Sequence, residues 1–254
     1  SSEAYCLPFS RQVRGLVLTL LGPKLYLAAM SKNSRRYLRL DVEEARHADY
    51  PKVARLLSWG FNTGKYALAL GREADQRAAL IEIMLRHQAL TPGVLYAARL
   101  EDGRLAGTCV VKYDNTPLPA ESRRAARREM ARLAGWLRAW GVGLGLRLLS
   151  GPRVGPESCY IDNLVVDPGI RHQRVAVRMA ALIYDIARSL SKTEMLADVL
   201  SNNYKVRGLF ESEGWQIVRR NFIMAPITLP LFGFAGVYRI RKGLTRPENP
   251  PSPA

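Results

Sequence analysis

The stretch CYIDNLVVDPGIRHQRVAVRMAALIYDIARSL, residues 159–190, decides the fold of this chain. Its first part, residues 160–166, is short, apolar and β-branched, and Asp167-Pro168-Gly169 stops it, so it reads as a buried strand. Its second part sets Val175, Met179, Leu182, Ile183, Ile186 and Leu190 on one face of a helix. Between the two lies a basic turn running from Ile170 through Arg171, His172, Gln173 and Arg174 to Val175 and Ala176. A strand feeding a basic turn and a helix N-terminus suits an anion, because the first amides of a helix lack partners and its dipole is positive there.

These residues resemble a family. Val166-Asp167-Pro168 followed by Arg171-x-Gln173-x-x-Ala176 is similar to the acyl-CoA signature of the GNAT superfamily of N-acyltransferases. Downstream, Asn203-x-x-Val206-x-x-Leu209-Phe210 with Gly214-Trp215 is similar to the family's second signature. Three positions depart from the pattern: Arg174 stands where the family usually has Gly, His172 where Gly is common, and Phe210 where Tyr is usual.

The resemblance implies an α/β fold with a mixed, mostly antiparallel central sheet and helices on both faces. It implies transfer of an acyl group, most simply acetyl, from coenzyme A to an amine, with acetyl-CoA or another acyl-CoA as co-substrate and no metal. It places the pantetheine along Leu164, Val165 and Val166, with a main-chain N–H such as that of Val165 as oxyanion donor. The phosphates fall to Arg171, His172, Gln173, Arg174, Val175 and Ala176, and Asn203 and Phe210 line the cofactor further on. Glycine normally lets backbone approach a pyrophosphate; Arg174 crowds that approach while adding charge.

Two carboxylates fall in expected strands: Asp162, and Asp198 in Leu196-Ala-Asp-Val199. Both are positions where the family often carries an acid. A carboxylate among apolar residues can have its pKa raised toward neutrality, which suits a base acting through water. Asp162 is the first candidate and Asp198 the second; the alternative for each is a salt bridge or a strand-end cap. Phe210 has no hydroxyl to protonate the departing thiolate, which leaves water, Tyr204 or Ser201.

Composition bounds the rest. The 254 residues allow one large domain or two small ones, with ample core. Lys plus Arg total 38 against 22 Asp plus Glu, a net charge of +16 that attracts phosphorylated cofactors, acidic lipid or nucleic acid without choosing among them. Cys6, Cys109 and Cys159 are scattered without a C-x-x-C pair, and His47, His87 and His172 are equally dispersed, so neither a disulfide framework nor a metal cluster is indicated. A reducing, cytoplasmic setting follows. The apolar run 15–30 is broken by Gly22-Pro23-Lys24 and is shorter than a membrane span. It reads as a helix packed on the domain or, given its basic flanks, as an interfacial helix.

In chain order, residues 1–36 form a basic extension, 37–244 the catalytic domain with a helical insertion at 114–157, and 245–254 a proline-rich tail. Residues 37–40 read as the first strand, with Asp41 capping a following helix that Pro51 divides. Trp59, Phe61 and Asn62 then lie where the family lines its acceptor site, or else in the core. Residues 73–88 read as a helix, and 94–100 with 104–113 as a hairpin about Asp102-Gly103. In the insertion, 121–140 reads as one basic helix with an apolar stripe of Met130, Leu133, Leu137 and Trp140, and Gly141-x-Gly143-x-Gly145 as a flexible elbow. Residues 194–200 are a strand, 203–212 a helix, and 215–223 and 236–240 closing strands. The uncharged run 224–235 covers the core or forms an apolar surface.

The resemblance implies a small-molecule or peptide amine as acceptor without naming it. Two other readings stand beside the enzyme: a non-catalytic module binding acyl-CoA or nucleic acid, favoured by Arg174 and Phe210, and a peripheral acyltransferase on an anionic membrane, resting on 15–30 and 224–235.

Overall fold

The computed structural model describes residues 39–60, 70–71, 73–88, 93–115, 117, 119–148 (side chains to 143), 153–170, 174–222 and 235–244. All belong to the second of the two units into which the chain divides, Arg39–Ala254. The expectations for 1–36, Phe61, Asn62, Arg171, His172, Gln173, 224–234 and 245–254 lie outside the described residues.

Among the described residues, seven strands form one sheet in the order β1-β2-β3-β4-β5-β7-β6. They are β1 (Leu40–Glu44), β2 (Val94–Leu100), β3 (Leu105–Lys112), β4 (Ser158–Val166), β5 (Glu194–Leu200), β6 (Gln216–Asn221) and β7 (Val237–Gly243). Of these described strands, β4 and β5 pair in parallel, and each other neighbouring pair is antiparallel. The helices are α1 (Tyr50–Gly60), α2 (Ala74–Arg86), α3 (Ala120–Ala134), α4 (Trp136–Leu148), α5 (Val175–Ser189) and α6 (Tyr204–Ser212).

Helices lie on both faces. Leu95, Leu105 and Val165 of the sheet pack into the apolar core that α1 and α2 build from Val53, Leu57, Leu80, Ile81 and Met84. Gly107 faces the other way: a Cβ there would come within 2.6 Å of Sδ of Met179 on α5. Buried Arg77 ties α1 to α2, donating from Nε to the Ser58 carbonyl at 2.8 Å and from one terminal nitrogen to the Gly71 carbonyl at 2.8 Å.

Several expectations are corrected. Asp41 caps no helix: it lies with Glu43 and Glu44 in β1, paired antiparallel to β2. The strand is an edge with a polar outward side, and such acidic residues mimic a helix start. Pro51 does not divide a helix but sits in the first turn of α1, where its missing N–H costs no bond.

The insertion holds two helices rather than one. Gly135, at φ +85°, separates α3 from α4 in a conformation that disfavours a side chain. Gly141, Gly143 and Gly145 lie inside α4 and form no elbow. Because the chain turns at Gly135, the expected stripe does not stay on one face. Ala126, Met130, Ala139 and Val142 are buried, whereas Leu133, Leu137 and Trp140 are exposed.

Candidate active site

Strand β4 joins two different neighbours along its length. Its pairing with β5 runs from Ser158↔Glu194 to Ile161↔Ala197 and ends there, although β5 continues to Leu200 alongside β7. Residues 162–166 therefore stay paired to β3 alone. Thr108 pairs with Val165 and Val110 with Asp162, so β4 uses three steps where β3 uses two. The extra residue makes a bulge, and Asn163 within it has φ +53°. The strands part beyond this point, and among the described residues no strand pairs with this edge of β4, a geometry that suits a ligand of extended shape.

The splayed segment is held from both faces. Val165 packs into the α1–α2 core. A Cβ on Gly60, the last residue of α1, would stand 2.7 Å from a Val165 Cγ. On the other side, a Cβ on Gly107 would stand 2.9 Å from the Val165 carbonyl oxygen. The expected site residues Leu164, Val165 and Val166 thus form a rigid, half-buried ledge.

Beyond the ledge, Asp167 accepts the Gly169 N–H at 2.8 Å, closing the turn that leads to α5. Arg174 precedes α5 with φ +57°, the left-handed conformation that glycine adopts without strain. This explains the family's usual glycine: the backbone keeps the glycine conformation although the residue is arginine. The Arg174 guanidinium pairs with Glu213 after α6 rather than standing unengaged beside the turn. The first helical bond of α5 runs from the Arg178 N–H to the Arg174 carbonyl at 3.0 Å. The N–H groups of Val175, Ala176 and Val177 therefore have no acceptor within the helix.

In the sequence Arg178 reads as an ordinary charged helix residue. One of its terminal nitrogens is buried without a hydrogen-bond partner among the described residues, and burial pushes its pKa down. Only the fold reveals that burial.

Register also brings the two carboxylates to one face. Tyr160 lies opposite Leu196 in the parallel pair, so Asp162 and Asp198, two residues further along each strand, share their side of the sheet. It is the side of α1, because Asp162 and Val165 oppose Val110 and Thr108 on alternate residues of β3. Asp162 is 7% exposed, and its Oδ1 accepts the Asn163 N–H at 2.9 Å. Asp198 is held differently: its two oxygens accept from Nε and a terminal nitrogen of Arg239 at 2.9 and 3.1 Å. That bidentate bond occupies the carboxylate and raises the pKa of Arg239. The salt-bridge alternative describes Asp198.

The second expected motif is placed as follows. Asn203 precedes α6, and its side-chain oxygen accepts the Val206 N–H at 3.4 Å. Phe210 is buried edge-on against Trp215, with ring centroids 5.0 Å apart, and Trp215 lies 6.1 Å from Tyr184 of α5. Tyr204 is exposed. The Ser201 hydroxyl oxygen accepts the N–H groups of Ala235 and Gly236 at 3.0 and 3.3 Å, which leaves its proton to donate. Among the described residues no group of three or more His, Cys, Asp or Glu is placed to hold a metal ion. No helix among them is long and apolar enough to cross a membrane.

Comparison with known proteins bears on the family and the fold. The family model described as "Acetyltransferase (GNAT) family" matches residues 65–215. A solved acetyltransferase structure is similar with a TM-score of 0.50 and 17% identity, covering 81% of this chain and all of its own (100%). A GCN5-related N-acetyltransferase from Kribbella flavida is similar with a TM-score of 0.50 and 16% identity, covering 80% of this chain and 97% of its own. A variant of the spermidine N-acetyltransferase of Vibrio cholerae is similar at 0.49 and 13%, covering 81% and 94%. No curated protein matches the chain. With more than half of its length matched by the family model, the chain belongs to the acetyltransferase (GNAT) family.

Proposed function

We propose that this protein transfers an acetyl group from acetyl-CoA to the amine of a small molecule or peptide, with Asp162 as the base. The observation that carries this reading is the bulged end of β4, splayed from β5 and running into the open N-terminus of α5. Along the freed strand edge Leu164 and Val166 offer backbone partners to the pantetheine amides, and Val165 between them anchors the segment to β3. The amides of Val175, Ala176 and Val177 offer donors and a helix dipole to the pyrophosphate. Arg171, His172 and Gln173 add charge and donors to the same turn, and Arg174, its guanidinium engaged by Glu213, contributes the left-handed backbone that opens the helix. Asn203 and Phe210 border the cofactor from α6.

In the reaction the amine must first be neutral. Asp162 takes its proton, directly or through a water, and the nitrogen attacks the thioester carbonyl. The oxyanion that forms is stabilised by a main-chain N–H on the edge of β4 freed from β5; that of Val165 is turned the other way, toward Thr108 of β3. Its collapse breaks the C–S bond; the nitrogen releases its remaining extra proton to water, and the thiolate leaves with a proton supplied by water or by a hydroxyl such as that of Ser201. Asp198, engaged with Arg239, shapes the same face instead of taking the proton. Replacing Asp162 by Asn tests the assignment. Turnover with a panel of amines should fall about 10²-fold or more while acetyl-CoA affinity stays within about twofold. Unchanged turnover across pH assigns the proton to another group.

Phe210 favours a second reading, in which the fold binds acyl-CoA without transfer, because the residue offers the thiolate no hydroxyl.

A further inference from the structure

We propose that the outer face of the α3–α4 hairpin is a docking surface for an anionic lipid bilayer. This surface lies in the helical insertion and is separate from the acyl-transfer site. The hairpin already fills its inner side: Ala126 and Met130 of α3, with Ala139 and Val142 of α4, are buried against α1 and α2. Leu133, Trp136, Leu137 and Trp140 are left over, and they are exposed by 46%, 70%, 66% and 58% respectively. Trp136, Leu137 and Trp140 fall at i, i+1 and i+4 of one helix, so they form a contiguous apolar ridge.

The ridge is collared by cations. Arg124, Arg127 and Arg128 line a shallow cleft of about 650 Å³ together with Trp136 and Trp140. One carboxylate, Glu121, also lines it. None of Arg123, Arg124, Arg127, Arg128 and Arg132 pairs with a carboxylate among the described residues. The other acid of α3, Glu129, is taken by Arg86 and His87 of the α2 end at 2.7 and 2.9 Å, which fixes the hairpin to the domain.

Tryptophan has an apolar body and an N–H donor, which suits the boundary between headgroups and acyl chains. Guanidinium groups bind phosphate oxygens in pairs. These two features alone would also fit a single-stranded nucleic acid, with bases stacked on the indoles. Leu133 and Leu137 decide between the two, because aliphatic side chains do not stack on bases yet gain from entering hydrocarbon. The unpaired arginines and the net charge of +16 require the bilayer to be anionic.

The experiment sediments the full chain with vesicles of phosphatidylcholine alone and of phosphatidylcholine mixed with phosphatidylglycerol. Binding is expected only to the mixed vesicles, weakened by salt, with tryptophan emission shifted to shorter wavelength. The Trp136→Ser/Trp140→Ser and Arg124→Glu/Arg128→Glu double variants alter exposed residues. Each should keep the wild-type melting temperature and lose partitioning by about tenfold or more. If both variants partition like the wild type, another surface carries the binding and the proposal fails. It fails equally if mixed vesicles are ignored, or if the face takes a single-stranded RNA or a polyglutamate peptide in their place.

Discussion

Gly60 at the end of α1 stands against Val165 on the splayed segment of β4, with no room for a methyl group between them. A Cβ on Gly60 would meet both Val165 Cγ atoms, at 2.7 and 2.8 Å. Val165 is β-branched and rooted in a strand, so it has no rotamer that escapes. The helix that covers the carboxylate face and the strand that carries the ledge therefore set each other's position. Gly60→Ala gains up to about 1 kcal/mol of helix propensity. The enforced shift costs about 1–3 kcal/mol. A net loss of about 1 kcal/mol by denaturant titration is expected, with weaker acetyl-CoA binding. A variant more stable than the wild type would show that the two elements are not in register contact.

Arg174 should be replaceable by the glycine its backbone asks for. The left-handed conformation costs an L-residue about 1 kcal/mol. The exposed pair with Glu213 returns about 0–1 kcal/mol. Arg174→Gly should therefore leave the melting temperature unchanged or raise it by a few degrees, and tighten acetyl-CoA binding by allowing closer backbone approach. A clear fall in affinity would show that the Arg174 charge serves the phosphates despite Glu213.

Much of this arrangement could be read in residues 159–190, because β-branching, Asp-Pro-Gly and a four-three apolar spacing each act locally. The splay could not be read, since it depends on where β5 stops pairing with β4, some thirty residues away. Acidic β1 resembles a helix start in sequence because Asp and Glu serve an edge strand and a helix N-terminus equally well. The break at Gly135 was missed because the glycine repeat at 141–145 offered a louder signal. Helix context absorbed those glycines, while the lone Gly135 took the positive φ.

Phe210→Tyr places a hydroxyl at the edge of the Trp215 stack. If thiolate departure limits turnover and Phe210 sits where the family motif puts it, turnover should rise, by up to about 10²-fold where general acid catalysis operates. Steady-state rates with the amine panel check this. Loss of acetyl-CoA binding together with a lower melting temperature would show that the phenol only disturbs a packed aromatic core.

Acid should loosen the approach to α1 through Asp49. Burial by itself would raise the Asp49 pKa, but the Arg46 N–H and the Arg99 guanidinium overcome it and hold the carboxyl below its ordinary value. A depressed folded pKa means stability that is present above the unfolded value, about 3.9, and lost as pH falls through the folded one. Asp49→Asn should therefore cost about 1 kcal/mol at neutral pH and flatten the stability profile below about pH 4. An unchanged acid limb would assign that loss to other carboxylates.

The central claim is that acetyl-CoA lies along the splayed β4 edge with its phosphates on the first turn of α5. Calorimetric titration of the full chain with acetyl-CoA tests it, using the wild type and Ala176→Glu. A carboxylate in the first turn suits the helix dipole, so folding is spared while phosphate is repelled. The account predicts one saturable site in the wild type, and at least about tenfold weaker binding in Ala176→Glu at an unchanged melting temperature. No heat with the wild type, or full affinity in Ala176→Glu, would contradict it.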